Sequence, residues 1–301
     1  MKKVIVIGSS NTDMVVSVDH LPVPGETVTG GTFLMNQGGK GANQAIAVKR
    51  LGGQLVWVTS VGDDIFGQQS MQAFKKEGID ITYVHSYADS MSGVALINVD
   101  AHAENSIAVA PGANMLLKPN DVAKALDELV EGDYLLMQLE IPLETVRYAA
   151  KIAKQKGGNV VLNPAPATLL DPDLLDGLYL ITPNKTEAEL LTGIKIISEE
   201  TVYQAAEALV KKGVQNVIIT LGGHGCVVAT KEQTFRSIAI PVKAVDTTAA
   251  GDTFNGALCV ALAEGKTLQS AVEFAAKASA ISVTRIGAQS SIPTRFEVDS
   301  F

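Results

Sequence analysis

Cysteine is almost absent from this chain: 301 residues contain two, Cys226 and Cys259. Both stand inside apolar segments, so they read as buried core thiols rather than a disulfide or a metal pair. A reducing, cytoplasmic compartment fits that usage. Histidine is sparse too, and His20, His85, His102 and His224 show no metal-ligand spacing. Basic charge is outnumbered, 24 Lys and Arg against 32 Asp and Glu, for a formal net charge of −8. Nucleic-acid binding needs basic surface, so that class of partner is argued against. No apolar run approaches a membrane span. The opening run Val4–Ile7 is too short for a secretion signal and ends in Gly8-Ser9-Ser10, so it reads as a first strand. Long linkers, repeats and low-complexity tracts are missing as well.

What is present is a core-forming chain, 47% hydrophobic, long enough for one large α/β domain or two small ones. Strands are expected at Lys3–Gly8, Leu55–Val58, Tyr134–Gln138, Val160–Asn163, Tyr179–Thr182, Val217–Leu221 and Cys226–Ala229. Helices are expected at Ala42–Leu51, Phe66–Lys76, Asn120–Val130, Leu143–Lys156, Thr186–Thr192 and Glu199–Lys212. Val122, Ala125, Leu126, Leu129 and Val130, for example, recur at one-faced helical spacing. Such alternation predicts an α/β fold, a mostly parallel central sheet covered by helices on both faces. Two further β-like pairs, Met14–Val18 with Thr27–Phe33 and Gly93–Val99 with Ser106–Ala110, have no helix directly after them and fit no βαβ unit. They predict a small protruding sheet, a lid spanning about 12–34 and 92–111.

Polar residues recur where strands end, the edge at which open α/β sheets bind ligands. Asn11 and Asp13 follow the first strand and suit sugar hydroxyls, or an Asx turn. Asn36-Gln37-Gly38-Gly39-Lys40-Gly41-Ala42-Asn43-Gln44 is a glycine-rich turn opening a helix, with neither the P-loop nor the dinucleotide spacing. Lys40 and Asn43 there suit hydroxyls or a nearby phosphate, or a solvated loop and a helix start. Glu140 and Asn163 follow other strands. Asn184 and Glu187 open a helix, where Asn184 also suits a cap. Thr220-Leu221-Gly222-Gly223-His224-Gly225 is a glycine-rich turn that equally suits a hairpin.

The stretch Asp246–Leu258 organises the rest. Small residues Ala249-Ala250-Gly251 lead into a helix with Phe254, Ala257, Leu258, Ala261 and Leu262 on one face. Unpaired amides at a helix start make a socket for anions, phosphate above all. A carboxylate in that socket, Asp252, ligates phosphate poorly but suits a base for a hydroxyl attacking phosphate; as an N-cap it would also be ordinary.

The early Gly-Gly-Lys-Gly-Ala-Asn-Gln with the late Asp-Thr-Thr-Ala-Ala-Gly-Asp-Thr-Phe resembles the ribokinase family of ATP-dependent sugar kinases. The likeness runs from Gly8-Ser9-Ser10-Asn11-Thr12-Asp13 to Arg285-Ile286-Gly287-Ala288-Gln289, nearly the whole chain. It implies an α/β domain with a β-lid used as a homodimer clasp. It implies phosphorylation of the primary 5-hydroxyl of D-ribose by ATP, with 2-deoxyribose or another neutral sugar or nucleoside as alternatives. A regulator that binds sugar or nucleotide without turnover is the alternative of another class, argued against by the intact Asp252 socket. Asn11, Asp13, Gly38, Gly39, Lys40, Asn43 and Glu140 would line the sugar site. Asp252 would be the general base and the amides of Ala249 to Asp252 the anion hole. Asn184 and Thr220 through Gly225 would face ATP, and Glu187 would hold water around Mg²⁺. A K⁺ loop would comprise Asp246, Thr248, Ser282, Arg285, Gly287 and Ser291. Two departures stand out: Ala249 replaces the glycine common in the broader family, and Ala276 stands where some members carry a histidine near adenine.

One inference needs no family. Neither Lys nor Arg occurs between Lys3 and Lys40, or between Lys76 and Lys118. Both lid segments fall there, so the lid offers no cation for a sugar phosphate and favours a neutral sugar. The scarcity of aromatics in them disfavours a nucleoside.

Overall fold

The computed structural model describes residues 1–102 and 104–301. The chain runs β1 (Lys3–Ile7), β2 (Asn11–Ser17), β3 (Thr32–Gly38), α1 (Lys40–Arg50), β4 (Gln54–Gly62), α2 (Ile65–Lys76) and β5 (Tyr83–Tyr87). It continues through β6 (Gly93–Val99), β7 (Asn105–Ala110), α3 (Pro119–Asp127), β8 (Tyr134–Met137), α4 (Leu143–Gln155), β9 (Asn159–Leu162) and α5 (Pro172–Leu175). Then come β10 (Leu180–Ile181), α6 (Lys185–Thr192), α7 (Glu199–Lys211), β11 (Asn216–Thr220), β12 (Cys226–Thr230) and β13 (Thr234–Ser237), and finally α8 (Ala250–Ala263), α9 (Leu268–Ser282) and α10 (Arg295–Ser300).

Nine strands form one sheet in the order β13-β12-β11-β10-β9-β8-β1-β4-β5. Pairing is parallel from β11 to β5 and antiparallel at β12 and β13. Alternation along β1 shows why the sheet is covered twice. Val4 and Val6 share one core with residues of α1, α8 and α9, whereas Ile5 and Ile7 share the opposite core with residues of α3, α4 and α7. A strand buried on both faces reads as a continuous apolar run, as this one does. Cys226 and Cys259 are free buried thiols, and burial pushes Cys226 up to about 11. Among the described residues no helix is long and apolar enough to cross a membrane.

A second sheet has the order β3-β2-β6-β7. The expected pairs exist, antiparallel, and a parallel β2–β6 contact joins them. The third strand differs from expectation: it starts at Thr32, not Thr27, and continues to Gly38. Register explains this. Ser17 faces Thr32, and the polar Asn36, Gln37 and Gly38 face Asp13, Thr12 and Asn11. The strand therefore runs straight into α1, so this pair is followed directly by a helix after all. Pairing overrode the low strand propensity of Asn-Gln-Gly.

Other boundaries moved for local reasons. α3 stops at Asp127 because Asp133 takes the Val130 N–H at 3.1 Å, leaving Val130 57% exposed. No element is expected from sequence at 83–87 or 268–282. β5 is a short, part-polar edge strand, and α9 is rich in Ala and Ser, so its apolar face is broad rather than a clean stripe.

The helix carrying Asp252 is buried almost all round and lies against α1 at Gly256. A Cβ there would sit 2.5 Å from the Ala47 Cβ and 2.9 Å from the Gln44 carbonyl. Gly256→Ala would ordinarily favour a helix by about 0.5–1 kcal/mol. Overpacking of about 1–3 kcal/mol outweighs this, so urea unfolding should show a lower midpoint with an unchanged slope.

Candidate active site

The two organising motifs meet across α1 and α8. Ala249 adopts a left-handed conformation (φ 58°) at the N-cap of α8, so Asp252 is the third helical residue and not the cap. Its carboxylate is 7% exposed and turned onto α1. Asn43 Nδ2 donates to Oδ2 at 2.9 Å and Gln44 Nε2 donates to Oδ1 at 2.9 Å. Of the expected anion-hole amides, Ala250 N–H is already given to the Thr247 carbonyl at 3.2 Å. Among the described residues the Gly251 and Asp252 amides have no partner, and a Cβ on Gly251 would meet nothing within 4 Å. An open, unpaired helix start of this kind attracts anions.

The first turn of α1 brings a second cluster. Glu140 accepts Ser9 Oγ at 2.5 Å and Lys40 N–H at 3.0 Å, placing a carboxylate at the positive end of α1. Burial alone would lower the Lys40 ammonium, but the carboxylates of Asp252, Glu140, Glu187 and Asp13 outweigh it and raise it. Asp13 lies under Gly38, where a Cβ would sit 2.1 Å from its Oδ2. Burial first, then Glu140 and Asp252, push Asp13 up to about 6 against the opposing pull of Lys40. Asn11 is 4% exposed and its Oδ1 accepts Asn114 Nδ2 at 2.7 Å. Asn11, Asp13, Gly38, Gly39, Lys40, Asn43 and Glu140 are thus gathered where β2, β3 and α1 meet. They form a polar cradle with one cation among several carboxylates.

At β11 the expected residues split. Asn184 caps α6: its Oδ1 accepts Glu187 N–H at 2.9 Å, and Glu187 Oε2 accepts Asn184 N–H at 2.8 Å. Burial raises the Glu187 carboxyl, with Asp252 adding to it and Asn184 and Lys40 opposing. A cleft of about 560 Å³ opens beside this cap, lined by Asn184, Thr220, Leu221, Gly222 and His224, with Lys185 and Arg236 adding charge. Apolar Ile196, Ile197 and Val202 form its other wall. Gly223 and Gly225 shape the hairpin between β11 and β12 but do not line the cleft, nor does Asp252. Ala276 lies half-buried on α9, outside it as well.

The expected cation loop is partly assembled. Asp246 Oδ1 accepts Thr248 N–H and Oδ2 accepts Gly287 N–H, both at 2.8 Å. Ser282 and Ser291 are fully buried. The Arg285 guanidinium turns away to Glu297 at 2.6 Å, so only its backbone can face the loop. Among the described residues no three His, Cys, Asp or Glu side chains cluster as metal ligands. Such a loop suits a cation held by carbonyl oxygens and one carboxylate.

Several contributors were missed from the sequence: Gln44, Gln138, Asn114, Ser9, Thr182 and Asn255. Gln44 directly follows Asn43 in the glycine-rich motif, a signal that could have found it. Thr182 Oγ1 donates to Asn255 Oδ1 at 2.6 Å, and Asn255 Nδ2 to the Gly251 carbonyl at 2.8 Å, tying a strand end to α8. No local pattern announces that pair.

The chain matches the model of the pfkB family carbohydrate kinases over residues 1–295. It is 46% identical over 300 residues to the ribokinase of Haemophilus influenzae, covering 100% of this chain and 98% of that one. To the deoxyribokinase of Salmonella typhi it is 38% identical over 292 residues, covering 97% and 95%. Its fold is similar to that of Arabidopsis thaliana ribokinase complexed with ribose and ATP, with a TM-score of 0.91 at 32% identity over 99% and 98% of the two chains.

Asp13 generates a signed pH expectation. Its carboxyl binds a proton more tightly folded (about 6) than unfolded (3.8). The cost of its charge is absent below the unfolded value, grows as pH rises through the folded value, and is flat above it. Asp13→Asn should therefore stabilise the protein by up to about 3 kcal/mol near neutral pH and little near pH 4. Unfolding both proteins at the two pH values checks this; an equal effect at both would contradict it.

Proposed function

We propose, from the premise that this chain belongs to the pfkB family of carbohydrate kinases, that it transfers the γ-phosphoryl group of ATP to the 5-hydroxyl of D-ribose. The products are D-ribose 5-phosphate and ADP. The observation that carries the reading is Asp252: a buried carboxylate held by two neutral amides beside unpaired helix N–H groups. Asp252 takes the proton of the primary hydroxyl, a role worth roughly 10²–10⁴-fold. The Gly251 and Asp252 amides stabilise charge on the moving phosphoryl group, each such donor contributing roughly 3 kcal/mol.

Asn11, Asp13, the Gly38–Lys40 turn, Asn43 and Glu140 hold the sugar. Their charges are those of a cradle for hydroxyl donors rather than for a second phosphate. The nucleotide lies across the cleft at Asn184, Thr220, Leu221, Gly222 and His224, with Gly223 and Gly225 shaping the turn, and Lys185 and Arg236, the latter shared with Glu199 at 3.0 Å, supply positive charge against phosphates. Glu187 would orient water around Mg²⁺, which would offset phosphate charge when bound. Asp246, Thr248, Ser282, Arg285, Gly287 and Ser291 fit a K⁺ loop beside the start of α8. The small sheet serves as a lid that excludes water. Its exposed Phe33, Leu34, Leu96, Ile107 and Val109 fit a homodimer contact through the lid. A cytoplasmic location accords with the free thiols.

ADP release with Mg-ATP should depend on D-ribose and rise with K⁺. It should exceed that with 2-deoxyribose, fructose 6-phosphate or adenosine; a preference for 2-deoxyribose would instead align the chain with the deoxyribokinase it resembles. Asp252→Asn should lose roughly 10²–10⁴-fold in turnover while calorimetry shows ATP still bound. Wild-type turnover in that variant would remove Asp252 as base.

A further inference from the structure

Behind Asp252 runs a chain of buried side-chain amides. Gln138, directly after β8, donates Nε2 to Gln44 Oε1 at 2.5 Å. Gln44 spends both protons of its Nε2, one on Asp252 Oδ1 at 2.9 Å and one on Asn163 Oδ1 at 3.1 Å. Asn163, directly after β9, turns its own Nδ2 to the Thr182 carbonyl at 3.3 Å. Gln44 and Gln138 are both 0% exposed.

An amide can face a neighbour with its oxygen or its nitrogen, and here the difference is decisive. Turned one way, Gln44 donates to the carboxylate; turned the other, it sets a carbonyl against it. Gln44 itself does not choose. Its partners choose together: Asp252 and Asn163 Oδ1 accept only from the nitrogen, and the proton donated by Gln138 holds Gln44 Oε1 on the opposite side. The arrangement carries a cost: Gln138 Oε1 is buried with no partner, over Gly8 and 2.0 Å from where a Cβ would sit. An orphaned buried carbonyl is unfavourable and calls for a reason.

We infer that Gln138 and Gln44 form a positioning relay that orients the Asp252 carboxylate. Gln138 anchors the oxygen end of Gln44 and so holds its nitrogen on Asp252, and Gln44 with Asn43 holds one lone pair of each carboxylate oxygen. One further lone pair on each oxygen remains for the substrate hydroxyl. Both donors are neutral, so the relay aims the base without placing a cation beside it. Both glutamines are closed off from solvent, so they act through Asp252, and the inference rests on the proposed role of Asp252 as base.

The test is kinetic and uses the full-length protein. Gln138→Met keeps the length of the side chain and removes its donor. Turnover of D-ribose should fall about tenfold, a fraction of what a general base supplies, with both KM values within about twofold. The acid limb of the kcat profile should move to higher pH, because Gln44, no longer anchored at its oxygen, donates less firmly to the charged carboxylate. Gln44→Met should behave alike, and the double variant should cost no more than Gln44→Met alone, since Gln138 works only through Gln44. Additive losses, or an unmoved pH profile in Gln138→Met, would overturn the relay. Should Gln138→Met not fold, Gln138→Leu carries the test. It too offers Gln44 no donor, so the loss must appear there, and wild-type kinetics would refute the relay. Asp252→Asn in parallel separates the two readings. If it keeps its turnover, the base assignment fails; if it is inactive while the Gln138 variants are normal, the relay alone fails.

Discussion

A carboxylate buried at the start of a helix, with no cation bonded to it, is the constraint on which this structure depends. Burying a charge is costly unless it is hydrogen-bonded. Asp252 meets that cost with Asn43 and Gln44 and with its place in the first turn of α8. Both donors lie in the first turn of α1, so the two helices must stay in register. Gly256 allows that, letting α8 lie directly on the backbone of α1 near Gln44 and Ala47. The strand ends then close around the pair. β8 delivers Gln138, β9 delivers Asn163, and Thr182 follows β10 to hold Asn255.

Charge sorts the two sides of the site. On the α1 side, Asp13, Glu140 and Asp252 surround Lys40, and their field, with that of Glu187 on α6, raises its ammonium despite burial. Excess negative charge of this kind suits a polyol, whose hydroxyls donate, and repels a second phosphate. On the β11 side the cleft presents Lys185 and Arg236, with Glu199 paired to Arg236 at 3.0 Å, a less acidic lining that suits a polyanion. The carboxyl of Asp13, held up at about 6, is stability given up at a place where a ligand's hydroxyls can repay it.

Much of the architecture was legible because it depends on local patterns. Four-residue apolar runs ending in polar residues mark strands buried on both faces, and one-faced repeats mark the helices between them. The glycine-rich turn and the Asp246–Leu258 stretch identify two helix starts, the first at Lys40, two residues before the expected Ala42, and the second capped by Ala249, not Asp252. Reading failed where pairing rather than propensity decides. Asn36-Gln37-Gly38 is a strand only because β2 lies beside it, and α9 hides in an Ala- and Ser-rich run whose burial comes from α8 and α10.

Sequence alone determined the sheet-and-helix alternation, the acidic balance and the residue types at each strand end, since these follow from composition and short-range spacing. Only the tertiary structure decided which polar ends meet. It made Asp252 a held carboxylate and not a cap, gave Glu140 the role of capping α1, and turned the Arg285 side chain away from the other residues of the expected cation loop to Glu297. It also made Gln44 and Gln138 partners across 94 residues of chain. The physical reason is directional: a hydrogen bond depends on where an amide points, and no local periodicity encodes the direction of a side chain whose partners come from other strands.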